Sequence, residues 1–219
     1  MIHTNLAVVS QFGFKTKNQC SFFLKNFILE YIGEKGSVIV PTYNYDFPKG
    51  IYFNKKKSKS HVGDFSNYLI KNFYNYRTCD PVFSHIIFNK EYRKIINIKN
   101  EEAFGESSLF AYMLKKKYKI ICLGCPSNSM TFLHYIEKKN NVPYRYNKIF
   151  NLNNYHYQYY VGKKKVNYLI KEKNTEKLLD NKNFIKKKIG KLDSFSVKSE
   201  YLYREVSKRL KKNYYFLIK

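Results

Sequence analysis

Apolar side chains recur along the chain in two alternating patterns. Phe23, Phe27 and Tyr31 stand four residues apart before Gly33, which predicts a core-facing helix that ends at this glycine. The same spacing predicts further helices over residues 64–73, 109–117, 130–139 and 200–212. Short apolar runs between them predict buried strands at residues 37–40, 82–88 and 119–123. Helices that alternate with short strands are typical of an α/β fold, in which helices cover a sheet.

The chain after residue 150 has a less regular pattern. Residues 155–160 and 165–170 predict the two strands of a hairpin that turns across Gly162. Lysine and asparagine are dense over residues 172–189, and we expect little organised structure there. A length of 219 residues suits one domain with a sizeable core, so we expect a single domain over residues 1–219.

Composition excludes several classes of protein. Apolar residues make up 44% of the chain and aromatic residues 18%, too many for a disordered protein. No apolar run reaches the roughly 18 residues that are needed to cross a bilayer. A secretory signal has a basic segment before an apolar stretch, and Met1–Leu6 has no such segment. Four irregularly spaced cysteines suit a reducing compartment. We therefore expect a cytoplasmic protein with no membrane partner.

The formal net charge of +25 suggests a nucleic-acid partner, because lysine and arginine neutralise phosphates. Only five residues are arginine, however, and the lysines are spread along the whole chain. This distribution indicates a compositional bias rather than a nucleic-acid site, so we expect no nucleic-acid partner. The positive field still favours anionic ligands such as CoA or a nucleotide sugar.

The sharpest local signal lies over residues 120–137, where a buried strand runs into a turn and then a helix. Asn128 or Ser129 is expected to cap the helix, and Thr131 and His134 share one face of its first turns. The positive end of a helix disfavours imidazolium, which would keep His134 neutral, as a general base requires. A buried histidine satisfied by hydrogen bonds explains the same spacing equally well.

Cys122 and Cys125 form a C-x-x-C pair, a pattern found in zinc sites and in redox sites. No second pair and no histidine lies at ligand spacing, and Cys122 falls inside an apolar strand. We therefore expect a structural role for the pair and no metal.

Several blocks of sequence resemble the aminoglycoside 3-N-acetyltransferase family, also called the antibiotic N-acetyltransferase family. They occur in family order between residues 3 and 150, and the likeness is faint over 151–219. The blocks are His3–Leu6 with Phe12–Gly13, Val40–Phe47, His61–Gly63, Arg77–Ser84, Phe104–Phe110, Thr131–Glu137 and Val142–Tyr146.

The resemblance implies a central mixed sheet flanked by helices, acetyl-CoA as co-substrate, and direct acetyl transfer to an amine. His134 falls on the family's catalytic histidine. The family pairs this histidine with a carboxylate well downstream, in the part of the chain where the likeness is faint, and Glu137, one turn away from His134, is a second candidate within reach. By the same resemblance, Thr4, Asn5, Ser84 and Ser107 would line the donor site. The residues that would face the acceptor are Tyr43, Asp46, Glu106 and Tyr144.

The expected acceptor is a nucleotide-linked amino sugar used in surface-glycan synthesis, such as that of lipopolysaccharide. Asp80 stands where drug-modifying members commonly carry histidine, and the Val142–Arg145 segment is closer to members encoded with polysaccharide genes. A basic protein also attracts a polycationic drug poorly.

The main alternative is an aminoglycoside 3-N-acetyltransferase that confers antibiotic resistance. A basic nucleic-acid-binding module and an inactive relative of the family are further alternatives, and the sequence allows a homo-oligomer.

Overall fold

The computed structural model describes residues 1–98, 102–152, 155–163, 168–180 and 182–219. Within these ranges the strands are β1 (Ile2–Thr4), β2 (Ser37–Pro41), β3 (His85–Asn89), β4 (Lys119–Leu123), β5 (Arg145–Leu152), β6 (Tyr155–Gly162), β7 (Phe184–Ile189) and β8 (Leu192–Lys198). The helices are α1 (Ala7–Ser10), α2 (Lys17–Ile32), α3 (Asp64–Phe73), α4 (Tyr92–Ile95), α5 (Leu109–Lys115), α6 (Phe132–Lys139), α7 (Glu172–Glu176) and α8 (Ser199–Lys212).

The central sheet is mixed, as expected. Its four strands lie in the order β1, β4, β8, β7, with β1 and β4 parallel and the other neighbours antiparallel. β2 and β3 form an antiparallel pair, and β2 packs beside β1. Because β1 and β4 are parallel, their carboxyl ends at Thr4 and Leu123 meet at one edge of the sheet, where ligand sites of open α/β sheets are usually found.

Alternate residues of β4 enter two different cores, as the period of two in a strand requires. Ile120 and Cys122 pack into the core that also contains residues of α5, α6 and α8. Ile121 and Leu123 pack against the core formed largely by α1, α2 and α3. The sheet is therefore covered by helices on both faces, which confirms the predicted α/β class.

The aromatic stripe on α2 faces solvent, whereas the sequence predicted that it would face the core. The helix is present and begins at Lys17, because Thr16 and Gln19 form a capping box. Its buried residues are Cys20, Ser21, Leu24 and Ile28, whereas Phe27 is 55% and Tyr31 81% exposed. The aromatic rings of Phe23, Phe27 and Tyr31 instead stack on one another at the surface.

Two expectations for the C-terminal part are wrong. The strand over residues 155–160 exists, but it pairs with β5 ahead of it rather than with residues 165–170. Residues 165–167 of that predicted partner lie outside the described ranges, and the rest of it is not a strand. The lysine-rich stretch 172–189 contains α7 and β7, because β7 pairs with β8 at the edge of the sheet.

None of the described helices combines the length and apolar character needed to cross a membrane.

Candidate active site

His134 lies in the first turn of α6, as the strand-turn-helix pattern predicts. A short 3-10 turn, Ser127–Ser129, links β4 to this helix. No side chain caps the helix start at Thr131, so the predicted cap by Asn128 or Ser129 is wrong. The Asn128 Nδ2 atom donates instead to the carbonyl of Ile170 at 2.8 Å. The positive end of the helix therefore lies beside His134.

A buried carboxylate contacts the imidazole from the same helix. Glu137 Oε2 lies 2.7 Å from His134 Nδ1, and Glu137 Oε1 accepts a hydrogen bond of 2.8 Å from the Tyr144 hydroxyl. Arg145 Nε lies 2.6 Å from Glu137 Oε2. The Glu137 side chain is fully buried, whereas that of His134 is 30% exposed. Solvent and ligands can therefore reach the imidazole of His134, but not the carboxylate of Glu137.

The protonation states of this pair follow from its surroundings. Burial and the positive charge of Arg145 hold the pKa of His134 below its ordinary value, although Glu137 opposes them. Burial alone would raise the pKa of Glu137, but its hydrogen bond to His134 and the charges of His134 and Arg145, with the Tyr144 hydrogen bond, lower it. At neutral pH the pair is therefore a neutral imidazole and an ionised carboxylate.

The tautomer of His134 follows from the same contact. An ionised carboxylate only accepts hydrogen bonds, so Nδ1 of His134 donates to Glu137. The other ring nitrogen, Nε2, then carries the lone pair and can accept a proton. This arrangement is that of a histidine general base oriented by a carboxylate.

A cleft of about 900 Å³ contains His134 in its wall. It lies at the edge where β1 and β4 end, and it is open to solvent. The residues that line it include His3, Thr4, Asn5, Tyr43, Tyr45, His61, Cys125, Ser129, Thr131 and His134. The volume falls within the usual range for small-molecule sites, about 300–1,000 Å³.

The charges along the cleft are mainly positive. Lys15 and Lys17 line it. Among the described residues of the lining, Asp64 is the only carboxylate, and it forms an ion pair of 2.8 Å with Lys17. The one carboxylate of the described lining is therefore already in an ion pair, and both side chains of that pair are more than half exposed.

Three of the predicted binding residues line this cleft. Thr4 is the last residue of β1 and Asn5 comes directly after it, and the resemblance placed both in the donor site. Tyr43 also lines the cleft, but it is almost fully buried, and its hydroxyl lies 3.1 Å from His85 Nε2 and bonds to Thr131. Tyr43 therefore positions Thr131 in the wall beside His134.

The structure does not bring two predicted residues to the cleft because both are used inside the fold. Ser84 is fully buried, where its hydroxyl accepts a hydrogen bond from Arg77 Nε at 3.0 Å and donates to the carbonyl of Thr42. Tyr144 is also buried, and it holds Glu137 from behind rather than facing an acceptor.

Three further predicted residues lie outside the lining of the cleft. Glu106 is exposed and pairs with Lys139 on the surface. Ser107 is exposed just before the Ser108 cap of α5. Asp46 is half-buried beside the lining, where its Oδ2 is 3.5 Å from His61 Nε2 and its Oδ1 is 3.0 Å from Lys49 Nζ.

Sequence reasoning missed several residues that the structure places at the site. Arg145 lies in the last block of the resemblance, and its contact with Glu137 was not anticipated. Tyr45 and His61 stack with their ring centres 5.7 Å apart in the cleft wall. Lys15 and Cys125 carried no pattern that linked them to a cleft, since both depend on how distant segments pack.

Known proteins share both the sequence pattern and the fold of this chain. A sequence model of the family described as aminoglycoside 3-N-acetyltransferase matches residues 1–211. No curated protein matches the chain.

Solved structures share the fold at low sequence identity. Aminoglycoside acetyltransferase AAC(3)-IVa as apoenzyme has a TM-score of 0.77 at 14% identity, covering 99% of this chain and 82% of that one. AAC-IIIb in binary complex with CoASH has a TM-score of 0.74 at 14% sequence identity, and the match covers 97% of this chain and 89% of that one. YokD from Bacillus subtilis has a TM-score of 0.71 at 14% sequence identity, and the match covers 97% of this chain and 86% of that one. Mutant AAC(3)-IVa has also been solved with a gentamicin and with apramycin.

The fold and the family match together define an N-acetyltransferase. The match over residues 1–211 means that the chain belongs to the aminoglycoside 3-N-acetyltransferase family. The expected enzyme class, an acetyl-CoA-dependent N-acetyltransferase, is confirmed by this membership. The single-domain assignment stays a prediction.

Proposed function

We propose that this enzyme transfers an acetyl group to the amine of a nucleotide-linked amino sugar, with His134 as general base. The observation that carries the proposal is the contact of 2.7 Å between His134 and the buried Glu137, at the wall of a mainly positive cleft. The sugar would serve surface-glycan synthesis.

The cleft has the properties that acetyl-CoA requires. Its volume accommodates an extended ligand, and Lys15 provides positive charge for the phosphates of CoA, whereas Lys17 is already paired with Asp64. Thr4, the last residue of β1, and Asn5, which follows it, line the same cleft as His134, which suits contacts with the pantetheine arm. When bound, acetyl-CoA supplies the acetyl group as a thioester.

His134 acts on the proton of the acceptor amine. Its Nε2 atom accepts the proton that the nitrogen loses as it attacks the acetyl carbonyl, and Glu137 stabilises the imidazolium that forms. Arg145 keeps Glu137 ionised, and Tyr144 fixes the direction of its carboxylate. First-turn N–H groups of α6 contribute positive potential where negative charge develops.

The charge of the lining favours an anionic acceptor over a polycationic one. The one carboxylate of the described lining is paired with Lys17, and Lys15 adds further positive charge. A nucleotide diphosphate sugar is an anion and gains from this field, whereas an aminoglycoside is repelled by it. Tyr45 and His61 offer an aromatic wall on which a sugar or a base can pack.

An aminoglycoside acceptor is the second candidate function. It is supported by the family description and by the gentamicin and apramycin complexes of AAC(3)-IVa. Initial rates of acetyl transfer should be measured for a panel of nucleotide amino sugars and for kanamycin-like drugs. Faster turnover of the nucleotide sugars is expected, and faster turnover of the drugs would replace the proposal with this alternative.

The catalytic role of His134 is tested by His134→Ala. We expect kcat to fall by about 10²–10⁴-fold, the usual contribution of a positioned general base, with the acetyl-CoA dissociation constant nearly unchanged. Tyr31→Ala, on the exposed face of α2 away from the cleft lining, is the matched control and should keep the wild-type rate. Near-normal turnover by His134→Ala at neutral pH would disprove the assignment.

A further inference from the structure

The C-x-x-C pair meets at the wall of the cleft that contains His134. Cys122 is fully buried in β4, while Cys125 is half-buried and lines the cleft. Gly124 between them has a φ of +63°, and its N–H donates to the Ser194 hydroxyl at 3.0 Å, which holds the turn in place. The expected purely structural role explains Cys122 but leaves Cys125 facing the ligand space.

The surroundings of the Cys125 sulfur suit a thiolate. It contacts the thiol of Cys122, the hydroxyl of Ser129 and the backbone N–H of Leu123. These donors, with the Cys122 contact the strongest, lower the pKa of Cys125, although burial and the charge of Glu172 oppose them. The thiolate is the form of cysteine that attacks disulfides.

We propose that Cys125 is a thiol–disulfide exchange site for low-mass disulfides of the CoA class, with Cys122 as its resolving thiol. The ligand class rests on the proposed function, because the same cleft is assigned to acetyl-CoA. The thiol pair itself rests only on the contact between the two cysteines and on the place of Cys125 in the lining.

The exchange balances in two steps. The Cys125 thiolate attacks one sulfur of CoA disulfide, the sulfur–sulfur bond breaks, and one CoA thiolate leaves with its electron pair. The contact with Cys125 and burial raise the pKa of Cys122 in the reduced protein, and the mixed disulfide removes the part of this shift that comes from the Cys125 thiolate. Cys122 then gives its proton to solvent and attacks the Cys125 sulfur, which releases the second CoA thiolate and closes a Cys122–Cys125 disulfide. The two protein thiols are oxidised, and CoA disulfide is reduced to two CoA thiols. The mixed disulfide holds a CoA-sized group in the cleft, so it blocks the donor while it lasts.

Intact-mass measurement and peptide mapping of the folded protein test this proposal. The background variant is Cys79→Ser, because Cys79 is an exposed thiol outside the cleft lining. With CoA disulfide this protein should lose two hydrogens and show the 122–125 linkage. With Cys122→Ser added, one CoA should remain attached at Cys125, and with Cys125→Ser added, neither product should form.

The reference reaction is that of Cys79 in the wild-type chain. We expect CoA disulfide to react at Cys125 at least tenfold faster than at Cys79, and glutathione disulfide to show a smaller preference. Reaction at Cys79 with none at Cys125 would overturn the site, and equal preference for the two disulfides would overturn the ligand class.

Two measurements separate this proposal from the proposed function. Diamide, which oxidises adjacent dithiols without any binding site, should close the 122–125 disulfide in the Cys79→Ser protein even if CoA does not bind. Failure to do so overturns the thiol pair. Calorimetry with acetyl-CoA on the reduced protein tests donor binding independently, so an absence of heat there counts against the proposed function and not against the pair.

Discussion

Two buried arginines of this enzyme meet opposite surroundings. Arg145 lies against the carboxylate of Glu137, at 2.6 Å. Arg77 is fully buried, yet the groups that accept its hydrogen bonds are neutral: the carbonyls of Thr42, Lys55 and Ser58 and the hydroxyls of Thr42 and Ser84. Burial lowers the pKa of Arg77 to about 10.

The different surroundings give the two arginines different roles. Arg77 uses its planar donors to hold the loop at residues 55–58 against the end of β2, so its contribution is to the fold. Arg145 lowers the pKa values of both members of the pair next to it, so its contribution is to the proposed chemistry. Substitutions in the Arg77 network should therefore change mainly stability, and substitutions in the network of Arg145 and Glu137 should change mainly activity.

The largest effect is expected from Glu137→Gln. The amide no longer selects the tautomer of His134 or stabilises its imidazolium, and loss of such a carboxylate lowers kcat by up to about 10⁴-fold in serine hydrolases. Stopped assays with saturating acetyl-CoA measure this loss of kcat. Because Glu137 raises the pKa of His134, the acid limb of kcat/KM should also move to lower pH. An unchanged kcat would show that Glu137 has no part in catalysis.

Arg77→Met should chiefly reduce stability. It leaves several buried carbonyls without donors, which costs about 3 kcal/mol in the free energy of unfolding. Urea denaturation measures this change, and Arg93→Met on the exposed surface is the control, expected within about 0.5 kcal/mol of wild type. Equal stabilities of the two variants would contradict the assigned role of the Arg77 network.

Arg145→Met should move the pH profile in the opposite direction from Glu137→Gln. The general base works when neutral, so activity is lost as pH falls through the pKa of His134, which lies below its ordinary 6.5. Arg145 helps to lower that pKa, and its removal should move the acid limb of kcat/KM to higher pH. Arg204→Met, on the surface of α8, should leave the limb in place. A limb that does not move would remove Arg145 from the catalytic network.

Tyr144→Phe should have the smallest effect. It deletes one hydrogen bond of 2.8 Å to Glu137 while His134 and Arg145 remain in contact with the carboxylate. A loss of about 1 kcal/mol, or roughly fivefold in kcat, is expected with the KM for acetyl-CoA unchanged. A rise in the acceptor KM alone would instead return Tyr144 to the acceptor-binding role implied by the resemblance.

Local features of the site were predictable from sequence. His134 falls in the first turn of a helix that follows a buried strand, and Glu137 follows it by three residues, so helix geometry alone brings the two side chains together. The contact between Cys122 and Cys125 is local in the same way, since only a short glycine turn separates them.

Residues whose roles depend on distant partners were not predictable. Ser84 belongs to a block of the resemblance, but the packing of β2 and β3 encloses it with Arg77. The stripe of Phe23, Phe27 and Tyr31 has the spacing of a helix face, yet spacing cannot say which face is covered. α1 and α3 pack on the face of Leu24 and Ile28 instead.

The sequence by itself determined the alternation of helices and strands, the family, and the three-residue spacing that puts Glu137 within reach of His134, because short-range periodicity and spacing set these features. The structure decided that Glu137, rather than a carboxylate further downstream, contacts the imidazole. Only the tertiary structure decided that Arg145 and Tyr144 would return to that carboxylate and that Cys125 would face the cleft. It also decided that Ser84 and Tyr144 would be enclosed. These outcomes depend on how separate segments share the space around one sheet, and no local pattern in the chain encodes that arrangement.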